Sequence, residues 1–144
     1  MQTVLFSATV GALEAYLWEI VHWKLDNDSA AASKIIQNCQ NYGDISFKLS
    51  EMVSDGFSPK NQLKNALNQL VWHRIEKVAP IFIKGLGINF PSVGFFKEAI
   101  VLRHHIVHRS GKDTEGNVVS VSYDQVTKLL DDVLNFAKII DDQL

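Results

Sequence analysis

Three of the five histidines and two of the three arginines lie in one run, Leu102-Arg103-His104-His105-Ile106-Val107-His108-Arg109. A guanidinium cannot deprotonate and matches phosphate geometry with two parallel donors. An imidazole moves protons near neutral pH. Together the two groups could hold a phosphate and shuttle a proton beside it. Taken as a helix at about 100° per residue, the run continues an apolar stripe of Phe95, Phe96, Ala99, Ile100, Ile106 and Val107. Arg103 falls near the middle of that stripe, and His104 and His108 share one edge at i, i+4 spacing. Arg103 and His108 then point about 140° apart, so they converge only if the arginine reaches around or a second chain supplies its copy. Three readings fit these residues. In the first, Arg103 satisfies a carboxylate of its own chain, such as Glu14, leaving the histidines on a solvated edge. His104 and His108 could ligate zinc or nickel, although spacing indicates no third ligand. Or the cation and the imidazoles handle a phosphate.

The elements that must position these residues are helical nearly throughout. Phe6, Val10, Leu13, Leu17 and Ile20 recur at three- and four-residue steps and predict a helix over about 4–25. Asp26 to Ser29 ends it and caps a short helix over about 29–40, closed by Gly43. Asp44 is expected to cap a third piece carrying Ile45, Leu49, Met52 and Val53, which stops at Gly56. Ser58-Pro59 opens a longer helix with Leu63, Ala66, Leu67, Leu70, Val71 and Ile75 on one face. Residues 80–91 are irregular but apolar, hence buried, with a helical turn or two between glycines. A strong helix follows from Ser92 to about Arg109, ended by Ser110-Gly111. Turn chemistry over 112–117 and a weakly alternating piece over 118–121 lead to a capping box at Ser122 and Gln125. That box starts a last helix through Ile140. The expected fold is all-α, a bundle of four principal helices plus short ones, in a single domain over 1–144 that could itself belong to a longer protein.

Composition narrows the function classes. Hydrophobic residues make up 47% of the chain, which is enough for a core and argues against disorder. The 14 Lys+Arg against 16 Asp+Glu exclude a strongly basic, non-specific nucleic-acid binder and leave room for a local basic site. One cysteine, Cys39, excludes an intrachain disulfide and a Cys-based zinc site. The apolar stretch 78–90 is broken by Pro80, Lys84, Gly85 and Gly87 and is too short to span a bilayer. The apolar N-terminus has no basic start and contains Glu14, unlike a signal peptide. No membrane segment is expected, and the expected location is cytoplasmic.

Arg103, four residues, then His108, with a polar residue after the arginine and an apolar pair before the histidine, resembles the Arg-x4–6-His signature of the HEPN superfamily. The context is similar as well. The motif ends the penultimate long helix, a Gly-containing turn and one amphipathic helix follow, and the opening Ala12-Leu-Glu14-Ala-Tyr-Leu helix resembles the first helix of such domains. The resemblance implies an all-α homodimer whose two motifs face each other across one composite cleft. It implies a metal-independent endoribonuclease with no cofactor: the RNA 2′-OH attacks the adjacent phosphate, leaving a 2′,3′-cyclic phosphate and a 5′-OH. Carried over, His108 transfers protons, Arg103 holds the phosphate as charge builds, His104 orients the site, and Glu14 pairs Arg103. The implied partners are an RNA substrate and an antitoxin or regulatory domain, in a toxin or anti-phage setting. One feature departs from the pattern. Toxins of this type that work with a nucleotidyltransferase antitoxin carry a tyrosine two residues past the histidine, and that position is Ser110, which puts regulation by tyrosine modification in doubt.

The competing class is a non-catalytic helical module that dimerises or binds a nucleotide or partner protein, with Arg103 in a structural ion pair. The nuclease reading needs Arg103 and His108 accessible to solvent, whereas the module reading allows Arg103 to be sealed off. Trp18, Trp23 and Trp72 fit edge-of-core packing or an oligomer interface. Lys60, Lys64 and Lys77 are expected along one solvated helix face, from which they could meet RNA phosphates. His22 and His73 carry no motif and Cys39 is structural. Asp131-Asp132 and Asp141-Asp142 belong to a solvated face.

Overall fold

A computed structural model describes all residues, Met1–Leu144. The chain is all-α, with eight α-helices and one π-helix: α1 (Gln2–Asn27), α2 (Ala31–Asn38), α3 (Gln40–Gly43), α4 (Leu49–Met52), α5 (Pro59–Asn68), α6 (Ile75–Pro80), the π-helix (Ile81–Leu86), α7 (Gly94–His108) and α8 (Tyr123–Asp141). The only β-type pairing is an isolated bridge between Lys112 and Val118. The four longest helices are α1, α8, α7 and α5, the four that the apolar periodicity predicts. By internal contacts the residues form two compact units, one of Met1–Tyr16 with Pro91–Leu144 and one of Leu17–Phe90.

In the first unit, the start of α1 buries Phe6, Val10 and Leu13 at four- and three-residue steps. Helix α7 buries Phe96 and Ala99, and α8 buries Val126, Leu129, Val133, Phe136 and Ile140. Helix α8 begins with the expected capping box: Ser122 Oγ accepts from Gln125 N at 3.2 Å, and Gln125 Oε1 accepts from Ser122 N at 2.8 Å. Its far end is tied to α1. Tyr16 Oη donates to Ala137 O at 3.0 Å and to Asp141 Oδ1 at 2.6 Å. Asp141 is therefore not part of a purely solvated face, as its sequence neighbourhood suggests. Helix α7 stops where Ser110 and Gly111 adopt left-handed φ values of 53° and 77°. There the Gly111 N–H donates back to His105 O at 3.0 Å.

In the second unit, the rest of α1 buries Leu17, Val21 and Leu25, α2 buries Ala31 and Ile35, and α5 buries Leu63 and Leu67. Three expectations are corrected here. The helix opened by Ser58 and Pro59 forms as predicted, with Ser58 Oγ accepting from Asn61 N at 3.1 Å, but it ends at Asn68 rather than running past Ile75. A continuous helix would place Trp72 about 180° from Leu63. The break turns Trp72 inward, and Ile75 opens α6. Asp44 caps no helix start and instead closes α3; Lys48 opens the four-residue α4. The apolar side chains expected on that piece stay exposed, Leu49 and Val53 almost fully. Residues 81–86 form a wide π turn following Pro80, which has no N–H to give, and bury Ile81 and Phe82.

Helix α1 also revises the expectation that no segment is long and apolar enough to span a bilayer. Its most apolar 18-residue window has a mean hydropathy of 1.4. A core helix of a soluble protein meets the same test of length and composition.

Two outcomes follow from these contacts. A Cβ added at Gly85 would lie 2.7 Å from Ile35 Cγ1 and 3.3 Å from Ile35 Cα. Because Ile35 is fully buried, Gly85→Ala is expected to cost about 1–3 kcal/mol in urea unfolding. Tyr16→Phe is expected to cost about 1 kcal/mol near neutral pH. Burial, then the hydrogen bond to Asp141, raises the Tyr16 pKa, so its neutral form is favoured in the fold. That contribution is complete below the ordinary tyrosine pKa of about 10 and is lost as pH rises beyond it. The stability gap between the native chain and Tyr16→Phe should therefore narrow when urea unfolding is repeated near pH 11.

Candidate functional site

Arg103 and Glu14 meet inside the first unit. Arg103 Nη1 donates to Glu14 Oε1 at 3.2 Å, and the two side chains are 28% and 19% exposed. The register of α1 makes this meeting possible. Glu14 follows the buried Leu13, so its carboxylate leaves the edge of the apolar row rather than the solvent face. Arg103 is thus neither sealed off nor free. Its Nε is buried and reaches no hydrogen-bond partner. His105 Nδ1 is in the same condition one turn from the helix end. An unmet buried polar atom costs about 1–3 kcal/mol, so the fold carries tension at this motif.

His104 and His108 are both exposed, as their edge position predicts. Their ring centroids lie 4.9 Å apart with an interplanar angle of 45°. The His104 and His105 rings stand at 6.2 Å and 75°. The pair at i, i+4 offers two imidazoles to solvent, and no group of three or more His, Cys, Asp or Glu side chains is placed to hold a metal ion. Two imidazoles alone make an incomplete zinc site. The stripe around them is narrower than the sequence suggests. Phe96 and Ala99 are buried, but Val107 is 52% exposed, because α7 ends at His108 and covers nothing beyond it.

Sequence reasoning did not single out Lys112. With Arg109 it forms an exposed pair of cations just past His108, and neither makes a salt bridge. The left-handed Ser110-Gly111 step was the available signal, because it folds the chain back within three residues of the helix end.

The remaining candidates have their own partners. Lys60 and Lys64 lie on α5 and both bind Asp26, at 3.1 and 2.6 Å, which holds the Asp26 carboxyl below its usual range. Lys77 lies on α6 and not on their helix face. Asp132 pairs with Lys128 at 2.7 Å. Trp72 is buried, while Trp18 and Trp23 are exposed. Trp18 stacks on His22 at 3.9 Å and donates to Asn68 Oδ1 at 3.3 Å. Cys39 is buried, its thiol pKa raised by that burial, with Sγ 3.5 Å from Pro80 O.

Comparison with family models, with curated proteins and with solved structures gives no match to this chain.

Removing the partner of Arg103 tests the pair directly. Glu14→Ala should lower stability by about 1–2 kcal/mol, because it strands a mostly buried guanidinium, whereas Glu14→Ala combined with Arg103→Leu should recover part of that loss. Urea unfolding of these two variants, of Arg103→Leu alone and of the native chain closes the cycle.

Proposed function

We propose that the chain is a metal-independent endoribonuclease of HEPN type, a cytoplasmic homodimer with a toxin or anti-phage role. One observation carries the reading. A guanidinium held by Glu14 through a single nitrogen lies on the same helix as two exposed imidazoles in contact, and two unpaired cations follow them. Cleavage of a phosphodiester by its own 2′-OH asks for these groups. His108 takes the proton from the 2′-OH as that oxygen attacks phosphorus. The P–O5′ bond breaks, a proton passes to the leaving 5′ oxygen, and a 2′,3′-cyclic phosphate and a 5′-OH result. Arg103 bears the negative charge that builds on the phosphoryl oxygens. Glu14 orients Arg103 and His104 orients His108. Arg109 and Lys112 attract the flanking phosphates. Because Arg103 and His108 diverge on one helix, the complete site takes each from a different copy of the chain.

A second reading is favoured by the Arg103–Glu14 bond itself, which neutralises the arginine within one chain. In that reading the protein is a helical module that dimerises or binds a nucleotide or a partner protein, and it has no catalytic activity.

A labelled structured RNA in EDTA separates the two. The native chain should cut it and leave 2′,3′-cyclic phosphate ends. His108→Ala and Arg103→Ala, folded as judged by circular dichroism, should each lose about 100-fold or more in rate. Equal cutting by all three would place the activity elsewhere. Silence from all three would favour the non-catalytic module.

A further inference from the structure

We propose that the second unit carries a binding site for a small, neutral, largely apolar molecule with one hydrogen-bonding group, of the size of a substituted phenol. A cavity of about 200 Å³ opens where α2, α3, α4, α5 and the loops between them come together. Ile36 and Leu63 line it from the helices, and the Phe47 and Phe57 rings meet edge to face at 5.3 Å on its loop side. This is the segment whose apolar side chains fail to find a core. Ile45 and Met52, both in the wall, remain 40% and 49% exposed. Apolar surface left in water is a standing cost that an apolar ligand removes.

The lining also selects the ligand. It contains no ionisable acid or base of the Asp, Glu, Lys, Arg or His type. A charged ligand would lose its hydration and gain no counter-charge, so the occupant is neutral. Two polar groups stand in the wall, the Tyr42 hydroxyl and the Gln62 carboxamide, and neither side chain is hydrogen-bonded within the chain. They supply a donor and an acceptor to one polar substituent. Burial raises the Tyr42 pKa, so the hydroxyl stays protonated and able to donate at neutral pH. Size completes the choice. A sealed cavity of about 150 Å³ takes up benzene, so a pocket of about 200 Å³, open on one side, has the volume for a single ring with a short substituent. It has no room for the row of side chains by which a docked helix is anchored.

This site lies wholly within residues 36–63, and its test is independent of any RNA cleavage. Titrate 4-ethylphenol and ethylbenzene into the full chain, reading calorimetry and methyl ¹H–¹³C spectra. Both probes should bind one saturable site and shift the methyls of Ile36, Ile45, Met52 and Leu63. Tyr42→Phe should weaken 4-ethylphenol about fivefold and leave ethylbenzene unchanged. Ile45→Trp, at a wall position 40% exposed, should fill the cavity and abolish both. Met52→Trp, also exposed, provides a second filled variant if the first is unfolded by circular dichroism. Failure of the native chain to bind either probe saturably overturns the proposal. So does binding that persists in a folded filled variant, or methyl shifts confined to other parts of the chain. Concentration-dependent self-association through this face, with no response to either probe, would assign the surface to a second copy and likewise overturn it.

Discussion

An arginine cannot shed its charge, and Arg103 sits half-buried on α7. A carboxylate delivered to that point meets the charge. Glu14 delivers it, and its position is set by the neighbouring row of Phe6, Val10 and Leu13. Advancing α1 by one residue would swing Glu14 by about 100° and leave the guanidinium without a counter-charge. The hydrophobic register of α1 and the neutralisation of Arg103 are therefore one constraint. The hydroxyl of Tyr16, two residues on, reaches Asp141 on α8 by the same register. A single helix phase thus settles where both neighbouring helices are held.

The elements legible in the sequence are those whose signals are local. The apolar periodicity of α1, the Ser58-Pro59 start and the Ser122–Gln125 box each act within a turn of the residues that carry them. Distant contacts decided what could not be read. The stop of α5 at Asn68 accompanies the burial of Trp72, which the apolar spacing from Leu63 to Ile75 does not reveal. The turn at Ile81–Leu86 depends on Gly85 meeting Ile35, some fifty residues away in the chain. The exposed edge carrying His104 and His108 was readable from helical spacing alone, and so was Glu14 as the carboxylate for Arg103. Lys112 was not, because its place beside the motif is made by a backbone reversal rather than by a side-chain pattern.

The motif carries more polar demand than its own chain meets. Arg103 Nε and His105 Nδ1 are withdrawn from water without partners, and the two outer imidazoles face solvent beside each other. A helix selected only for stability would place apolar or fully bonded groups there. Two of the five buried polar atoms without a partner lie in the last two turns of α7, where the proposed chemistry also lies. The second unit shows a similar mismatch of another kind, with apolar residues 45–53 left uncovered around a cavity of about 200 Å³.

The pairing of Lys60 and Lys64 with Asp26 bears on how a polyanion would find this protein. All three charges lie on the surface, and the lysines' field is largely cancelled at short range by the carboxylate between them. The net charge of the chain is −2, so no general positive field compensates for that loss. Eight of the fourteen Lys and Arg side chains make no salt bridge, Arg109 and Lys112 among them, and on the proposed reading these two, beside the motif, would meet a nucleic acid first. With two cations engaged and a net charge of −2 behind them, the encounter rate should depend only weakly on ionic strength, in contrast to the steep salt dependence of proteins that bind nucleic acid through a basic face.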